Sequence, residues 1–160
     1  MDTCIGLLVH ADRDVLFRLA AAVEDWPRIL PHYTRVEVLS GSERSRIVEM
    51  AARRDVALGL GFPLRWQARQ TVSPEQWHID FDHVAGPTRG MHVEWRFDVI
   101  DARGIEVTIR HHFAPRWPVP GGLIDLIVGE YFVNGVARRT LRRIAYLAAS
   151  HPRPSAGFQK

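Results

Sequence analysis

The stretch from Gly121 to Ser150 constrains the fold most, because thirty residues without proline follow Pro115, Pro118 and Pro120 and stop before Pro152. Prolines on both sides and none within mark one long helix. On a wheel of about 100° per residue, Leu123, Ile127, Ala137, Leu141, Ile144, Ala145 and Ala148 share a face. Asp125, Arg139 and Arg143 take the opposite one, flanked by Arg138 and Arg142. Such a helix needs a large apolar surface to lie on. The wheel also places Glu130 and Asn134 near the centre of the apolar stripe, one turn apart. A carboxylate and an amide there need partners, water or a ligand, because burying them bare is costly. Phe132, Val128 and Val136 fall off the stripe and are left for a lid, another helix or a partner subunit, with a homodimer expected.

The apolar surface comes from the middle of the chain. Residues 2–10 form a first strand, and Asp12 caps a helix whose apolar side is Val15, Leu16, Leu19, Ala20 and Val23. Pro27 opens a second short helix over 26–30, which Pro31 stops. From Tyr33 onward the period is two. Strands are expected at 33–40, 44–54, 64–73, 76–84, 90–100 and 105–113. Their apolar parities carry Trp66 and Gln70; Trp77 and Phe81; Trp95 and Phe97; Ile109 and His111. Clean alternation means an antiparallel sheet with one dry and one wet face. The expected class is α+β, one domain over 1–150 with a curved sheet wrapped around the long helix, and a flexible tail over 151–160.

Composition narrows the partners. A formal charge of +3 comes from 21 basic residues, all but Lys160 arginine, interleaved with acids, so no nucleic-acid stripe emerges. The single cysteine, Cys4, excludes an internal disulfide and fits a reducing compartment. No signal peptide or membrane span is legible, and a cytoplasmic protein is expected. Among eight histidines there is no HxxxH or HExxH and no pairing with Cys4 at zinc spacing. No metal and no cofactor are therefore expected. GxGxxG, P-loop and nucleophile-elbow patterns are absent as well.

The order of one strand, two short helices, six strands and a long helix resembles the helix-grip fold of the START (SRPBCC) superfamily. Val9-His10-Ala11, Leu16-Phe17, Val23-Glu24-Asp25-Trp26-Pro27 and Leu30-Pro31-His32-Tyr33 resemble the opening of its polyketide cyclase/aromatase and coenzyme-Q-binding branch. Gly86-Pro87 followed by Met91, Trp95 and Phe97 resembles a later strand of that branch. The resemblance implies a deep cavity between sheet and helix, with no cofactor. Trp66, Gln70, Trp77, Phe81, Trp95, Phe97, Ile109, Ile127 and Asn134 are the expected ligand contacts. The first functional expectation is binding of a hydrophobic, aromatic or polycyclic small molecule. The second is an aromatase/cyclase, with Glu130 or His111 as base and Tyr33, matched to a family tyrosine by its spacing from Trp26-Pro27, as donor to an enolate. The family's cavity arginine falls nearest Arg69, whose parity points to the wet face. Arg54, on the inward parity of Val48, Met50 and Ala52, is the alternative. The third expectation is a lipid-quinone chaperone touching membrane peripherally through the apolar segment 55–63 and Trp117.

Overall fold

A computed structural model describes residues 1–55, 61–114 and 120–151; within these ranges the side chains of residues 54, 55, 61, 62, 103, 121, 124–128, 130 and 131 lie outside the described set. Strand β1 (Asp2–Val9) is followed by α1 (Arg13–Ala21), a single 3₁₀ turn, and α2 (Trp26–Ile29). Strands β2 (Tyr33–Gly41), β3 (Ser45–Asp55), β4 (Gly61–Ser73), β5 (His78–Ala85), β6 (Met91–Val99) and β7 (Ile105–Phe113) follow. The C-terminal helix has three parts: α3 (Gly121–Ile124), a π-helical segment (Asp125–Ala137) and α4 (Arg138–Ala149).

Local chemistry sets the element boundaries. The Asp12 carboxylate accepts from the Asp14 and Val15 amides at 2.8 and 3.3 Å, satisfying donors that the first turn of α1 leaves open. Pro27 sits in the first turn of α2, where its missing N–H costs nothing. Gly86 adopts φ +95°, and a Cβ there would lie 2.7 Å from the Arg65 carbonyl oxygen, so only glycine lets the β5–β6 turn pass this close to β4.

The seven strands form one antiparallel sheet in the order β1-β7-β6-β5-β4-β3-β2, and every neighbour pair runs antiparallel. The first strand therefore closes onto the last, and the π-helical segment and α4 pack across the inner face. Alternation is strictest in β7, where Ile105, Val107, Ile109, His111 and Phe113 are buried and the residues between them are not. In α4, Leu141, Ile144, Ala145 and Ala148 face the core, as the wheel requires.

The wheel fails one turn earlier. Asn134 is exposed and accepts a hydrogen bond from Arg138 at 3.2 Å, whereas Phe132, Val133 and Val136 are buried at 4–6% exposure. Leu123 is exposed as well. Hydrogen bonds run i→i+5 in the π-helical segment, so each turn holds more than 3.6 residues and a 100° wheel drifts out of phase. The stripe expected to hold Asn134 is thus held by Phe132 and Val136. The side chains of Glu130 and Ile127 lie outside the described residues, as do most of the 55–63 segment and Trp117.

Candidate functional site

Between the sheet and the helix lies a small cavity of about 40 Å³. Its floor is the inner parity of four strands: Trp66 from β4, Phe81 and His83 from β5, Val93 and Trp95 from β6, Ile109 and His111 from β7. Met50 of β3, Trp26 of α2 and Tyr33 at the start of β2 complete one side. Phe132, Val136, Ala137 and Thr140 of the C-terminal helix close the top.

Aromatic rings dominate the walls. Trp26 meets Tyr33 edge-on at 4.9 Å, and Phe132 meets Trp66 edge-on at 5.1 Å. The His83 ring stacks on Trp66 at 5.9 Å with 10° between planes. These rigid rings offer large apolar area to a guest, as ligand cavities generally do.

Against this background the polar atoms are few. His83 Nδ1 shares a hydrogen bond of 2.7 Å with the Thr88 hydroxyl, and both residues are buried. Among the described residues, His111 Nδ1 and Trp66 Nε1 have no hydrogen-bond partner, although both residues are 3% exposed. Burial pushes His111 down to about 4, and burial together with the charge of His111 and His92 pushes His83 down to about 3. Both imidazoles are therefore neutral near pH 7, able to accept a proton or hydrogen bond from a guest. At the rim, His32 Nε2 and the Thr140 hydroxyl are 2.8 Å apart, and burial with nearby Arg139 pushes His32 down to about 4. No carboxylate is found among the described lining residues.

Several expected contacts take other positions. Gln70 is fully buried, but it donates to the Ala21 carbonyl at 2.9 Å and accepts from Arg46 at 2.7 Å, pinning the end of α1 instead of lining the cavity. Trp77 precedes β5 in a left-handed conformation with φ 53°. This breaks the alternation and turns its ring toward Phe17, under the Arg13 guanidinium at 4.4 Å. Phe97 packs edge-on against Phe17 at 5.3 Å, at the closed end of the core. Arg69 is exposed on the outer face, as its parity requires. Conversely, Trp26, His83 and Thr140 line the cavity without having been singled out. Strand parity could have found His83, which continues the series Ile79, Phe81.

An orphaned buried group costs stability unless a guest or water meets it. His111→Leu, close in volume, is therefore expected to leave the empty domain equally stable or up to ~2 kcal/mol more stable in urea unfolding. A loss of the ~2 kcal/mol or more typical of disturbing a packed core would show that the imidazole is satisfied.

Residues 9–138 match the family model described as polyketide cyclase/dehydrase and lipid transport. The chain belongs to that family. Within the family it is similar to the actinorhodin polyketide synthase bifunctional cyclase/dehydratase of Streptomyces coelicolor, 32% identical over 104 residues. That match covers 62% of this chain and 30% of the relative, so the chain spans under a third of the curated protein it resembles. The fold is shared with the Zhui aromatase/cyclase from Streptomyces sp. R1128, at TM-score 0.73 and 22% identity, covering 98% of both chains. It is also shared with a START superfamily protein from Mycobacterium smegmatis, at TM-score 0.66 and 13% identity, covering 91% and 98%. The family's helix-grip architecture is the one built here: seven antiparallel strands curved around a C-terminal helix. No helix among the described residues is long and apolar enough to cross a membrane.

Proposed function

We propose that this domain binds a hydrophobic, aromatic or polycyclic small molecule carrying a hydroxyl or carbonyl group, in the cavity between sheet and helix. The observation that carries this reading is the pairing of aromatic walls with two orphaned polar atoms, Trp66 Nε1 and His111 Nδ1. A purely apolar guest would leave both unmet. A guest with an acceptor for the indole N–H and a donor for the imidazole would meet both. The space is small for a polycyclic guest, so binding moves a side chain at the top, and Phe132 is the bulkiest one there. The free, exposed thiol of Cys4 supports a reducing, cytoplasmic setting for this function. Native mass spectrometry of freshly purified protein, followed by extraction, tests the proposal. A bound aromatic or polyketide-like molecule is expected at one per chain. A long isoprenoid quinone or a phospholipid would overturn it in favour of a lipid carrier.

A second reading, catalysis of aldol cyclisation and dehydration on a poly-β-ketone, is favoured by the neutral imidazole of His111 inside the cavity. His111 would take the proton from a carbon between two carbonyls. The resulting enolate carbon would bond to a carbonyl carbon of the same chain, and the alkoxide so formed would take the proton back from His111 to give a β-hydroxy ketone. His111 would then remove the remaining α-hydrogen and return that proton to the departing hydroxide, leaving a carbon–carbon double bond and water. Tyr33, 6% exposed and lining the cavity, would donate to the enolate oxygen. On this reading His111→Gln lowers the cyclisation rate by about 10²-fold or more while ligand affinity stays within a few-fold. A full rate in His111→Gln would leave binding alone.

A further inference from the structure

The outer face of the sheet, behind the cavity, carries a second group of chemistry-bearing side chains. The half-buried parity of β5 is His78, Asp80 and Asp82, and that of β6 includes His92 and Glu94. The register sets Asp80 directly across from Glu94, and Asp82 across from His92. Two carboxylates placed directly opposite repel each other unless a cation lies between them.

The side chains converge on that point. His78 Nε2 is 3.2 Å from Asp80 Oδ1 and 3.1 Å from Glu94 Oε1, and His92 Nε2 is 3.3 Å from the same Asp80 oxygen. Hydrogen bonding does not account for these approaches. His78 Nε2 is shielded from solvent and, among the described residues, makes no hydrogen bond, despite two oxygens at its edge. His92 forms its hydrogen bond through the other nitrogen, Nδ1, to Asp82 at 2.8 Å. A carboxylate on Nδ1 holds the proton there and leaves the Nε2 lone pair aimed at Asp80, the arrangement of a metal-bound histidine with its supporting acid. Two donor atoms that share one ion at about 2.1 Å, at angles between octahedral and tetrahedral, lie about 3.0–3.4 Å apart. The observed separations fall in that range.

We propose that the outer face of β5 and β6 binds one divalent first-row transition-metal ion through His78, Asp80 and Glu94, whose donor atoms lie within 4.8 Å of one another, with His92, in reach of Asp80, turning in as the fourth ligand and Asp82 positioning it. Two imidazoles with carboxylates suit zinc, cobalt or nickel and are a poor match for magnesium or calcium. Guanidiniums surround the site without occupying it. Arg96 bonds Glu94 at 2.8 Å, Arg110 lies across from Glu94 on β7, and Arg69 lies across from Asp82 on β4. Among the described residues no guanidinium contacts Asp80. Glu94, shared with Arg96, is therefore the weakest ligand. The ion would clamp β5 to β6, whose inner faces supply Phe81 and Trp95 to the cavity. Patterns with helical spacing could not reveal this site, because its ligands alternate along two strands.

The test is calorimetric titration of the untagged, chelator-treated full chain with Zn²⁺. One ion per chain is expected, with a rise in Tm that Mg²⁺ does not produce. His78→Gln and His92→Gln each lower affinity at least 100-fold, and Asp82→Asn lowers it 10–100-fold with every ligand in place. Absence of saturable binding overturns the proposal, as does binding unchanged in both histidine variants, which would leave these pairs as imidazolium salt bridges. If a variant does not fold, imidazole ¹⁵N shifts of the wild-type chain decide. Zn²⁺ must move the Nε2 signals of His78 and His92, and unmoved signals refute the site.

Discussion

Taking the protein from pH 7.5 to pH 4 is expected to remove several kcal/mol of stability, from two histidines buried in their neutral form. His111 and His83 hold folded-state values of about 4 and about 3, below the ordinary value near 6.5. Below about pH 6.5 the unfolded chain takes up protons that the folded chain refuses, so stability falls with pH. The contribution is complete above pH 6.5 and is lost progressively down to about 4 for His111 and about 3 for His83. By pH 4 the loss amounts to roughly 3 kcal/mol for each group. His32, only half-buried, adds less. Urea midpoints measured across this range should drop steeply for the wild type and much less for the double variant His83→Gln/His111→Leu. Parallel profiles for the two proteins would show that these imidazoles are not the acid-sensitive groups.

Phe132→Ala is expected to have the largest effect of any single change at the top of the cavity. The ring packs on Trp66 and His83 and is 4% exposed, so its removal should cost about 3–5 kcal/mol in the empty protein. The same change deepens the cavity. A bulky aromatic ligand should then restore part of the loss, so Tm should rise more on ligand addition in Phe132→Ala than in wild type. An equal rise in both proteins would mean that the ligand never reaches the space Phe132 fills.

The contrast between Phe132 and Asn134 shows what the sequence carried and what it did not. In β7 every second residue is buried, because a strand has one fixed period and the sheet has one dry face. Fold class, strand order along the chain, the Asp12 cap and the place of His111 all followed from such local rules. The helix stripe was legible only where the helix is α. In the π-helical segment the period is set by backbone hydrogen bonding that side-chain pattern does not reveal, so Asn134 was placed inward and Phe132 outward. Trp77 and Gln70 illustrate a different limit. Both belong to the parity of the dry face, yet a left-handed residue diverts one and a hydrogen bond to α1 engages the other. Parity identifies which residues leave solvent. Which of them face empty space depends on what each element packs against.

The central claim is that the space between sheet and helix receives the ligand. Titration of tryptophan fluorescence with a hydroxylated anthraquinone, for the wild type and for Ala137→Trp, tests it most directly. Trp26, Trp66 and Trp95 line the cavity and report on it, and Ala137, 7% exposed in its roof, is where a large side chain would fill it. Saturable quenching is expected in the wild type and should disappear in a folded Ala137→Trp. Undiminished binding by that variant, or none by the wild type, would contradict it.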